Sequence, residues 1–228
     1  KGVLVTEVER LARGNTKDQG EVADAFQATS TTIITESKIY DPHSETDQTF
    51  FEFGLFMSRQ EYKTINRRQI AGKKQSVMEG NYILPQRVFG YEIERKSKKH
   101  RSLKIIPEEA KLVQMIFDWY TEERRSTDWI AQQLTAMKVP TVKKKPEWNR
   151  GTIRDMLANP IYIGKITWGK SRIVKEYNED LGKLVKVRKW NNDAEIFEGK
   201  HDGIISEEQF NKAQWLTEST RNPAAKVN

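Results

Sequence analysis

The chain has 228 residues, a formal net charge of +7 at pH 7 and a sequence pI near 9.4. It contains no cysteine, which excludes disulfide bonds and cysteine–zinc sites within these residues, and its three histidines are isolated from one another in the sequence. No apolar run reaches transmembrane length and no signal peptide opens the chain, so we expect a soluble, cytoplasmic protein without metal or cofactor.

The positive charge is unevenly distributed along the chain. It concentrates after Arg59, notably in residues 95–104 and 138–189, and no amphipathic segment with a lipid-facing stripe accompanies it. This pattern favours nucleic acid over a membrane as the partner. Because many soluble proteins are basic, the motifs have to decide what the charge is for.

The start of the chain predicts part of an α/β domain. Residues 2–6 indicate a buried strand, residues 16–28 a polar helix and residues 32–35 a second strand. A strand, a helix and a strand in this order form a βαβ unit, which needs a parallel sheet with more strands than this segment supplies. We therefore expect residues 1–48 to be the C-terminal part of a domain whose beginning is missing.

One long helix is predicted from about Asp47 to Gly80, with Asp47 or Thr49 as its N-cap. About 30 residues at 1.5 Å each extend about 45 Å, more than one small domain can cover. We expect its apolar first half to pack on a domain or a partner subunit, and its basic second half to lie along a polyanion. An amphipathic core helix with a solvated face is the alternative. The apolar residues are Phe50, Phe51, Phe53, Leu55, Phe56, Met57 and Ile65.

Residues 88–93 are strand-like, and the lysine-rich turn at 97–101 suggests a hairpin that faces a phosphate backbone, with a solvated loop as the alternative. Residues 162–174 and 183–190 also indicate strands. Ser206 begins a capping box, which predicts a last helix, and a polar tail follows from Ser219.

Three helices are predicted between these strands. Pro107 starts the first in the favoured first-turn position, the second spans 126–137, and the third begins near Asn149 and ends before Pro160. The basic connector 139–148 joins the last two, which fits a helix-turn-helix module, with an ordinary helical bundle as the alternative. The inward residues are predicted to be Ala110, Val113, Ile116, Phe117, Tyr120, Trp129, Ile130, Leu134, Met137, Ile153, Met156 and Leu157.

Six stretches form a pattern in chain order. They are residues 5–13, which end in two arginines three apart; Glu61 with Ile65 and Arg68; residues 89–91; residues 106–110; Trp148 with Ile153, Leu157, Asn159, Tyr162 and Gly164; and His201 with residues 204–206. Together they resemble the large serine recombinases, the serine integrases and related transposon recombinases. The resemblance implies an α+β fold: a remnant of an α/β resolvase-like catalytic domain, a long linking helix, and a mainly helical DNA-binding domain with a helix-turn-helix and short strands.

The resemblance also implies domain boundaries. Residues 1–48 would end the catalytic domain, residues 49–80 would form the dimerisation and DNA-crossing helix, and residues 81–216 would form the recombinase DNA-binding domain. Residues 217–228 would be a linker tail. The implied partners are double-stranded DNA at an attachment site and further copies of the chain, as a dimer and, in the full recombinase, a tetramer. The implied source is a bacterium, a phage or another mobile element.

The activity that the resemblance implies is cutting and rejoining of DNA through a phosphoserine link. Arg10 and Arg13 match the active-site arginines of the family, and Arg68 matches a further arginine on the long helix. Arginine suits this role because its donors neutralise the charge that develops on a phosphate under attack. Glu9 stands where the family usually has aspartate. No serine here matches the nucleophile, so we expect a fragment that binds DNA without cutting it.

The candidate DNA contacts are basic or polar residues of the long helix, the hairpin tip, the connector, the third helix and the following strand. They are Arg67, Lys73, Lys74, Lys98, Lys99, Arg101, Lys143, Lys144, Lys145, Asn149, Arg150, Thr152, Arg154, Lys170 and Arg172. Arg150 and Arg154 lie four apart, so both could face one groove. A helix-turn-helix regulator and a basic oligomerisation module are the competing interpretations.

Overall fold

The computed structural model describes residues 1–11, 16–95, 97, 100–191 and 193–221, which form both helices and strands. The chain divides into two compact units, Lys1–Gly72 and Lys73–Asn228. Within the described part of the chain no helix is both long and apolar enough to span a membrane. Among the same residues, no group of three or more histidine, aspartate and glutamate side chains is placed to bind a metal ion.

The first unit contains a small sheet and two helices. Its elements are β1 (Gly2–Leu4), a 3₁₀ turn (Val8–Arg10), α1 (Thr16–Ala28), β2 (Thr32–Ile34), β3 (Ile39–Tyr40) and α2 (Glu45–Met78), within which the division between the units falls. β1 pairs with β2 in parallel, and β3 adds to β2 antiparallel. The parallel β1–α1–β2 arrangement confirms the predicted βαβ unit.

The core of the first unit is small and lies between β2, the 3₁₀ turn and α2. Val8, Ile33, Phe51 and Leu55 are buried together, and the side-chain amide of Gln19 donates a hydrogen bond to the carbonyl of Leu55 at 2.9 Å. The prediction that β1 is a buried strand is wrong, since all three of its residues are exposed. β1 is the edge strand of the sheet, and the core packs on β2 instead of on β1.

The apolar residues in the first half of α2 are buried on one side of the helix and exposed on the other. Phe51 and Leu55, four residues apart, are buried, whereas Phe50, Phe53, Phe56 and Met57 are each at least half exposed. Packing of the whole apolar half on its own domain is therefore not observed in this unit. The helix also begins at Glu45, so the predicted caps Asp47 and Thr49 lie inside it.

The carboxylate of Asp47 contacts the segment that precedes α2. It accepts a hydrogen bond from the backbone N–H of Asp41 at 3.0 Å and pairs with Lys38 at 2.7 Å, and these two interactions, the Asp41 amide first, lower the pKa of Asp47. The carboxylate therefore ties the first turn of α2 to the chain that leads into it.

The second unit contains four helices and three two-stranded antiparallel sheets among its described residues. Its elements are β4 (Tyr91–Arg95), β5 (Arg101–Ile105), α3 (Pro107–Thr121), α4 (Thr127–Ala136), α5 (Arg150–Leu157), a 3₁₀ turn (Pro160–Ile163), β6 (Lys165–Trp168), β7 (Ser171–Asn178), β8 (Lys183–Trp190), β9 (Glu195–Glu198) and α6 (Glu207–Arg221). The sheets are β4–β5, β6–β9 and β7–β8.

Tyr162 lies at the centre of the second unit's core. Its ring is fully buried against Tyr91 and Phe117, with ring centroids 6.1 and 5.9 Å away, and its hydroxyl donates to the carbonyl of Phe89 at 3.1 Å. Gly90 has a φ of +93°, and a Cβ there would lie 2.8 Å from Ile204. The motif at residues 89–91 therefore has a packing role that only glycine in the middle allows.

An ion pair fixes the turn that precedes β4. The guanidinium of Arg87 donates two hydrogen bonds to the carboxylate of Glu109, at 2.7 and 2.8 Å, and the backbone N–H of Gly90 donates a third at 2.7 Å. Burial of Glu109 opposes its ionisation, but these three bonds together lower its pKa. The first turn of α3 is thereby fastened to the turn before β4.

The helix predictions for this unit are confirmed for α3, α4 and α5, including nearly all of their inward residues. Met137 is exposed, contrary to prediction, because α4 ends at Ala136 and Met137 forms its C-cap. Trp129 and Tyr120 are only partly buried and pack at the edge of the core.

The strand predictions for this unit need three corrections. The predicted strand 162–174 is divided into the separate strands β6 and β7, with Gly169 and Lys170 between them. The first strand begins at Tyr91 and not at Val88, and Tyr162 lies in a 3₁₀ turn and not in a strand. The side chain of Asn159 caps that turn, Pro160 opens it and Gly164 ends it with a φ of 78°. Apolar residues are needed here because tertiary packing buries the turn, and a short apolar run of this kind resembles a strand in the sequence.

Candidate nucleic-acid interface

The first helix of the predicted helix-turn-helix, α4, is well fixed in the core. Ser126 caps it by accepting a hydrogen bond from the backbone N–H of Trp129 at 3.2 Å. Ile130, Ala131 and Leu134 are buried along its inner face. A serine at this position is worth about 1 kcal/mol to a helix, so both the cap and the apolar face hold α4 in place.

The connector between α4 and α5 is folded, and Trp148 anchors its end. The indole N–H of Trp148 donates to the carbonyl of Val139 at 2.8 Å, and its backbone N–H donates to the hydroxyl of Thr135 at 3.0 Å. Its ring meets that of Phe89 edge to face, with centroids 5.1 Å apart. The two ends of the connector are therefore held close together on the core.

The middle of the connector presents three cations. The hydroxyl of Thr141 accepts a hydrogen bond from the backbone N–H of Lys145 at 2.9 Å, and the N–H of Lys144 donates to the carbonyl of Thr141 at 2.7 Å. Lys143, Lys144 and Lys145 are all exposed. None of the three forms an ion pair with any residue that the structure describes. A closed turn thus carries three unpaired positive charges beside α5.

Helix α5 begins with a cap made by two residues that we predicted as DNA contacts. The Oδ1 atom of Asn149 accepts hydrogen bonds from the backbone N–H and the hydroxyl of Thr152, at 2.9 and 3.3 Å. Ile153, Met156 and Leu157 are buried on the inner face of α5. Asn149 and Thr152 therefore have a structural role in starting the helix, whatever else they contact.

Arg150 and Arg154, four residues apart, line different clefts. Arg150 lies over an open cleft of about 570 Å³ beside α4, with its Nη1 atom 3.9 Å from the carboxylate of Asp128. Arg154 lines an open cleft of about 730 Å³ together with Arg124 and Arg125. Both are exposed cations four residues apart on α5, and each lines a separate cleft.

Sequence analysis missed Arg124 and Arg125. Arg125 lies over the ring of Trp129, with its guanidinium carbon 4.8 Å from the centroid, and Arg124 lies over Trp215 at 6.0 Å. The signal was available: two adjacent arginines stand directly before the N-cap Ser126. With Arg154 they give this cleft three guanidinium groups, against the carboxylates of Asp155 and Glu218.

Of the DNA contacts predicted on the β4–β5 hairpin, only Arg101 is described. Lys98 and Lys99, at its predicted tip, lie outside the described residues. Arg101 is turned inward: its Nη2 atom donates to the carbonyl of Leu84 at 2.5 Å, and its buried Nε atom has no hydrogen-bond partner among the described residues. Its guanidinium is thus partly used within the fold.

The strand cations are more accessible. Lys170 and Arg172, at the start of β7, are both exposed. Lys170 precedes the β7–β8 hairpin and Arg172 lies in its first strand. Neither residue forms an ion pair with another described residue.

The cations of α2 fall in both units. In the first unit, Arg67 and Arg68 are exposed. In the second unit, Lys73 is exposed, whereas Lys74 pairs with Glu195 at 2.6 Å. Lys74 is therefore the one of these four whose charge is already matched by a described acid.

The candidate catalytic arginines are only partly described. Arg10 ends the 3₁₀ turn with a largely exposed side chain, 3.8 Å from the carboxylate of Glu7. Arg13 lies outside the described residues. No contact between Arg10 and Arg68 occurs among the described residues. The catalytic assignment of these three arginines therefore stays a prediction.

Comparison with known proteins places the second unit in a family. A family model described as Recombinase matches residues 107–220, which is half of the chain. The chain is 32% identical over 127 residues to a putative DNA recombinase of Bacillus subtilis (strain 168), a match that covers 54% of this chain and 25% of that protein. The chain thus spans about a quarter of the length of that relative.

Two solved structures are similar to the chain at a distance. One is the crystal structure of an LSR–DNA complex, with 24% identity and a TM-score of 0.45, covering 70% of this chain and 42% of that one. The other comes from work on the sequence requirements of the Listeria innocua prophage attP site, with 23% identity and a TM-score of 0.45, covering 71% of this chain and 56% of that one.

Proposed function

The chain belongs to the Recombinase family, and on that premise we propose that it is the DNA-binding portion of a site-specific serine recombinase. In this proposal α4 and α5 act as a helix-turn-helix, and α5 with its connector contacts duplex DNA at an attachment site. Residues 81–216 would be the DNA-binding domain, followed by a linker at 217–228.

One observation carries this proposal: a rigid scaffold holds unpaired cations beside the start of α5. A cleft of about 340 Å³ is lined by Lys143, Lys145, Asn149 and Thr152, with Trp148 at its base. Because the indole of Trp148 and the cap of Asn149 fix the backbone of this segment, the positions from which the lysines extend are set before any ligand arrives. A preformed loop suits a phosphate backbone, since little backbone entropy is then lost on binding.

We propose two kinds of DNA contact. Lysines of the connector would neutralise phosphates. Removal of one such lysine would weaken binding to every DNA sequence equally. An arginine of α5 would contact a base edge, which is worth roughly 1–3 kcal/mol of discrimination. Arg150 is already near Asp128, so Arg154 is the arginine that we assign to base contact.

The catalytic role remains a proposal about the whole recombinase. Arg10, Arg13 and Arg68 would neutralise the phosphate under attack, and the serine that forms the phosphodiester link would lie outside these 228 residues. Residues 1–48 would then belong to the catalytic domain, and residues 49–80 to the helix through which subunits pair. The exposed phenylalanines of α2 support a pairing surface of this kind.

Two substitutions test the DNA contacts. Arg154→Ala should lower the affinity for the preferred duplex by about 5- to 100-fold while changing the affinity for scrambled duplex much less. Lys144→Ala should weaken both duplexes alike and reduce the salt dependence of log K by about 0.9. Lys111→Ala, an exposed lysine on α3, is the control and should change neither.

Fluorescence anisotropy titrations at several salt concentrations measure all of these quantities. If Arg154→Ala weakens preferred and scrambled duplexes equally, α5 is not the base-reading helix. If Lys144→Ala behaves like Lys111→Ala, the connector is not part of the interface.

A further inference from the structure

The hairpin β7–β8 has one face that the rest of the second unit does not use. Alternate residues of a strand point to the same side, and the register pairs Ser171 with Trp190 and Tyr177 with Leu184. One face therefore carries Ser171, Ile173, Lys175, Tyr177, Leu184, Lys186, Arg188 and Trp190. We call this the outer face of the hairpin.

Half of the residues on the outer face are large and apolar, and the face is open. Its four large apolar side chains are 55–68% exposed, whereas the valines of the opposite face, Val174, Val185 and Val187, are only partly exposed. No other described element packs extensively against the hairpin. A two-stranded hairpin by itself is marginally stable in water, so contact with a partner would stabilise this surface.

The charge on the outer face is entirely positive. Lys175, Lys186 and Arg188 are exposed, and none of them forms an ion pair with a described residue. Lys175 and Lys186 are direct partners in the ladder. Like charges in this position destabilise a hairpin, unless an anion lies against both of them. An anion that contacted both lysines would relieve this repulsion.

We propose that the outer face of β7–β8 binds the sugar–phosphate backbone of duplex DNA, as a contact separate from that of α5. This inference rests on the proposal that the chain binds DNA. The lysine pair and Arg188 would bind phosphates, while Trp190, Ile173 and Tyr177 would cover deoxyribose rings. A two-stranded ribbon has the width that a DNA groove accepts.

Duplex DNA fits this face better than the other possible occupants. A protein partner would place charge at the rim and apolar groups in the centre. Here the lysine pair lies inside the face, between the rung Ile173–Arg188 and the rung Tyr177–Leu184. A single strand would need neighbouring aromatic rings for successive bases. Trp190 and Tyr177 lie three ladder steps apart on this face, roughly 20 Å along the strands.

The test is the salt dependence of binding to a random-sequence duplex. Lys175→Gln with Lys186→Gln removes both lysines and relieves their repulsion, so the hairpin should remain folded. The slope of log K against log salt should fall by about 1.8, roughly 0.9 for each lost phosphate contact. Lys104→Gln with Lys111→Gln changes the net charge equally on other elements of the same unit and should leave the slope nearly unchanged.

Three outcomes overturn the inference while leaving the proposed function intact. In the first, the wild-type chain binds duplex, and both double variants show the same slope of log K against log salt as the wild type. In the second, the variant Lys175→Gln with Lys186→Gln loses binding only to the matching single strand. The third is that sedimentation shows the lysine variant losing self-association with an unchanged slope, which would make the occupant a second copy. If the wild-type chain binds no duplex at all, the proposed function itself fails.

Discussion

The sharpest test of the site's architecture is Trp148→Phe. Trp148 is 6% exposed, its indole N–H donates to the carbonyl of Val139 at 2.8 Å, and its ring packs against Phe89. Phenylalanine keeps an aromatic ring but removes the only donor on the indole. The substitution therefore separates the hydrogen bond from most of the apolar packing.

The expected loss follows from two effects. A buried carbonyl left without its donor costs about 1–3 kcal/mol. The smaller ring also leaves a cavity that costs about 1 kcal/mol more, a fraction of the 3–5 kcal/mol typical of a full aromatic truncation. The free energy of unfolding should thus fall by about 2–4 kcal/mol, a large share of the stability of an ordinary domain.

The assay is urea denaturation of the 228-residue chain, followed by far-UV circular dichroism. Trp215→Phe makes the same chemical change at a side chain that is 60% exposed, and it should alter the free energy of unfolding by no more than about 0.5 kcal/mol. Equal effects of the two substitutions would refute the conclusion that Trp148 anchors the connector.

Two further predictions concern pH and self-association. Burial lowers the pKa of His201, so the unfolded state binds the proton more tightly. The contribution of neutral His201 to the free energy of unfolding should be fully present above about pH 6.5 and should decline as the pH falls toward the folded pKa. In urea denaturation between pH 7 and 5, His201→Gln should show a smaller decline in the free energy of unfolding than the wild type. An identical decline in both proteins would contradict the assignment. Separately, burial of exposed phenylalanines on α2, each worth roughly 1.5–3 kcal/mol, should drive self-association. Phe53→Asp should abolish it in sedimentation equilibrium and Lys73→Ser should not; a dimer that survives Phe53→Asp, or a strict monomer, would exclude this surface.

Local signals predicted the helices well. Residues 16–28 form α1 with the predicted bounds, and Pro107 begins α3, because a proline in the first turn and a 3.6-residue apolar period are properties of the segment itself. Ser126 and Asn149 likewise act as caps through bonds to residues three positions away. Signals of this range can be recognised without knowing the fold.

Predictions that depended on distant partners were less accurate. Tyr162 is predicted to begin a strand, yet it lies in a 3₁₀ turn that packs against Phe117 of α3 and bonds to the backbone of residues 204 and 205. Nothing in the sequence near Glu195 showed that β9 would pair with β6. Burial of β1 also failed as a prediction, because an edge strand has apolar residues like those of a central one.

In the candidate site, too, local features could be predicted and the contacts between distant residues could not. The exposed lysines of the connector could be predicted from composition, since lysines in a turn are almost always exposed. Which cations share a cleft could not, because that depends on how α3, α4 and α6 converge around Arg124, Arg125 and Arg154. His201 belongs to a motif whose role the structure explains: its Nε2 atom lies 2.9 Å from the carbonyl of Ile161 in the core.

The central claim is that this chain distinguishes one DNA sequence from others. The direct measurement is a titration of the 228-residue chain against a duplex that it has enriched from a random pool, and against a scrambled duplex of the same composition, at two salt concentrations. We predict at least roughly ten-fold tighter binding of the enriched duplex at both concentrations, about the energy of one base-reading contact, with both affinities falling as salt rises. Equal affinities for the two duplexes, or no binding to either, would contradict the account.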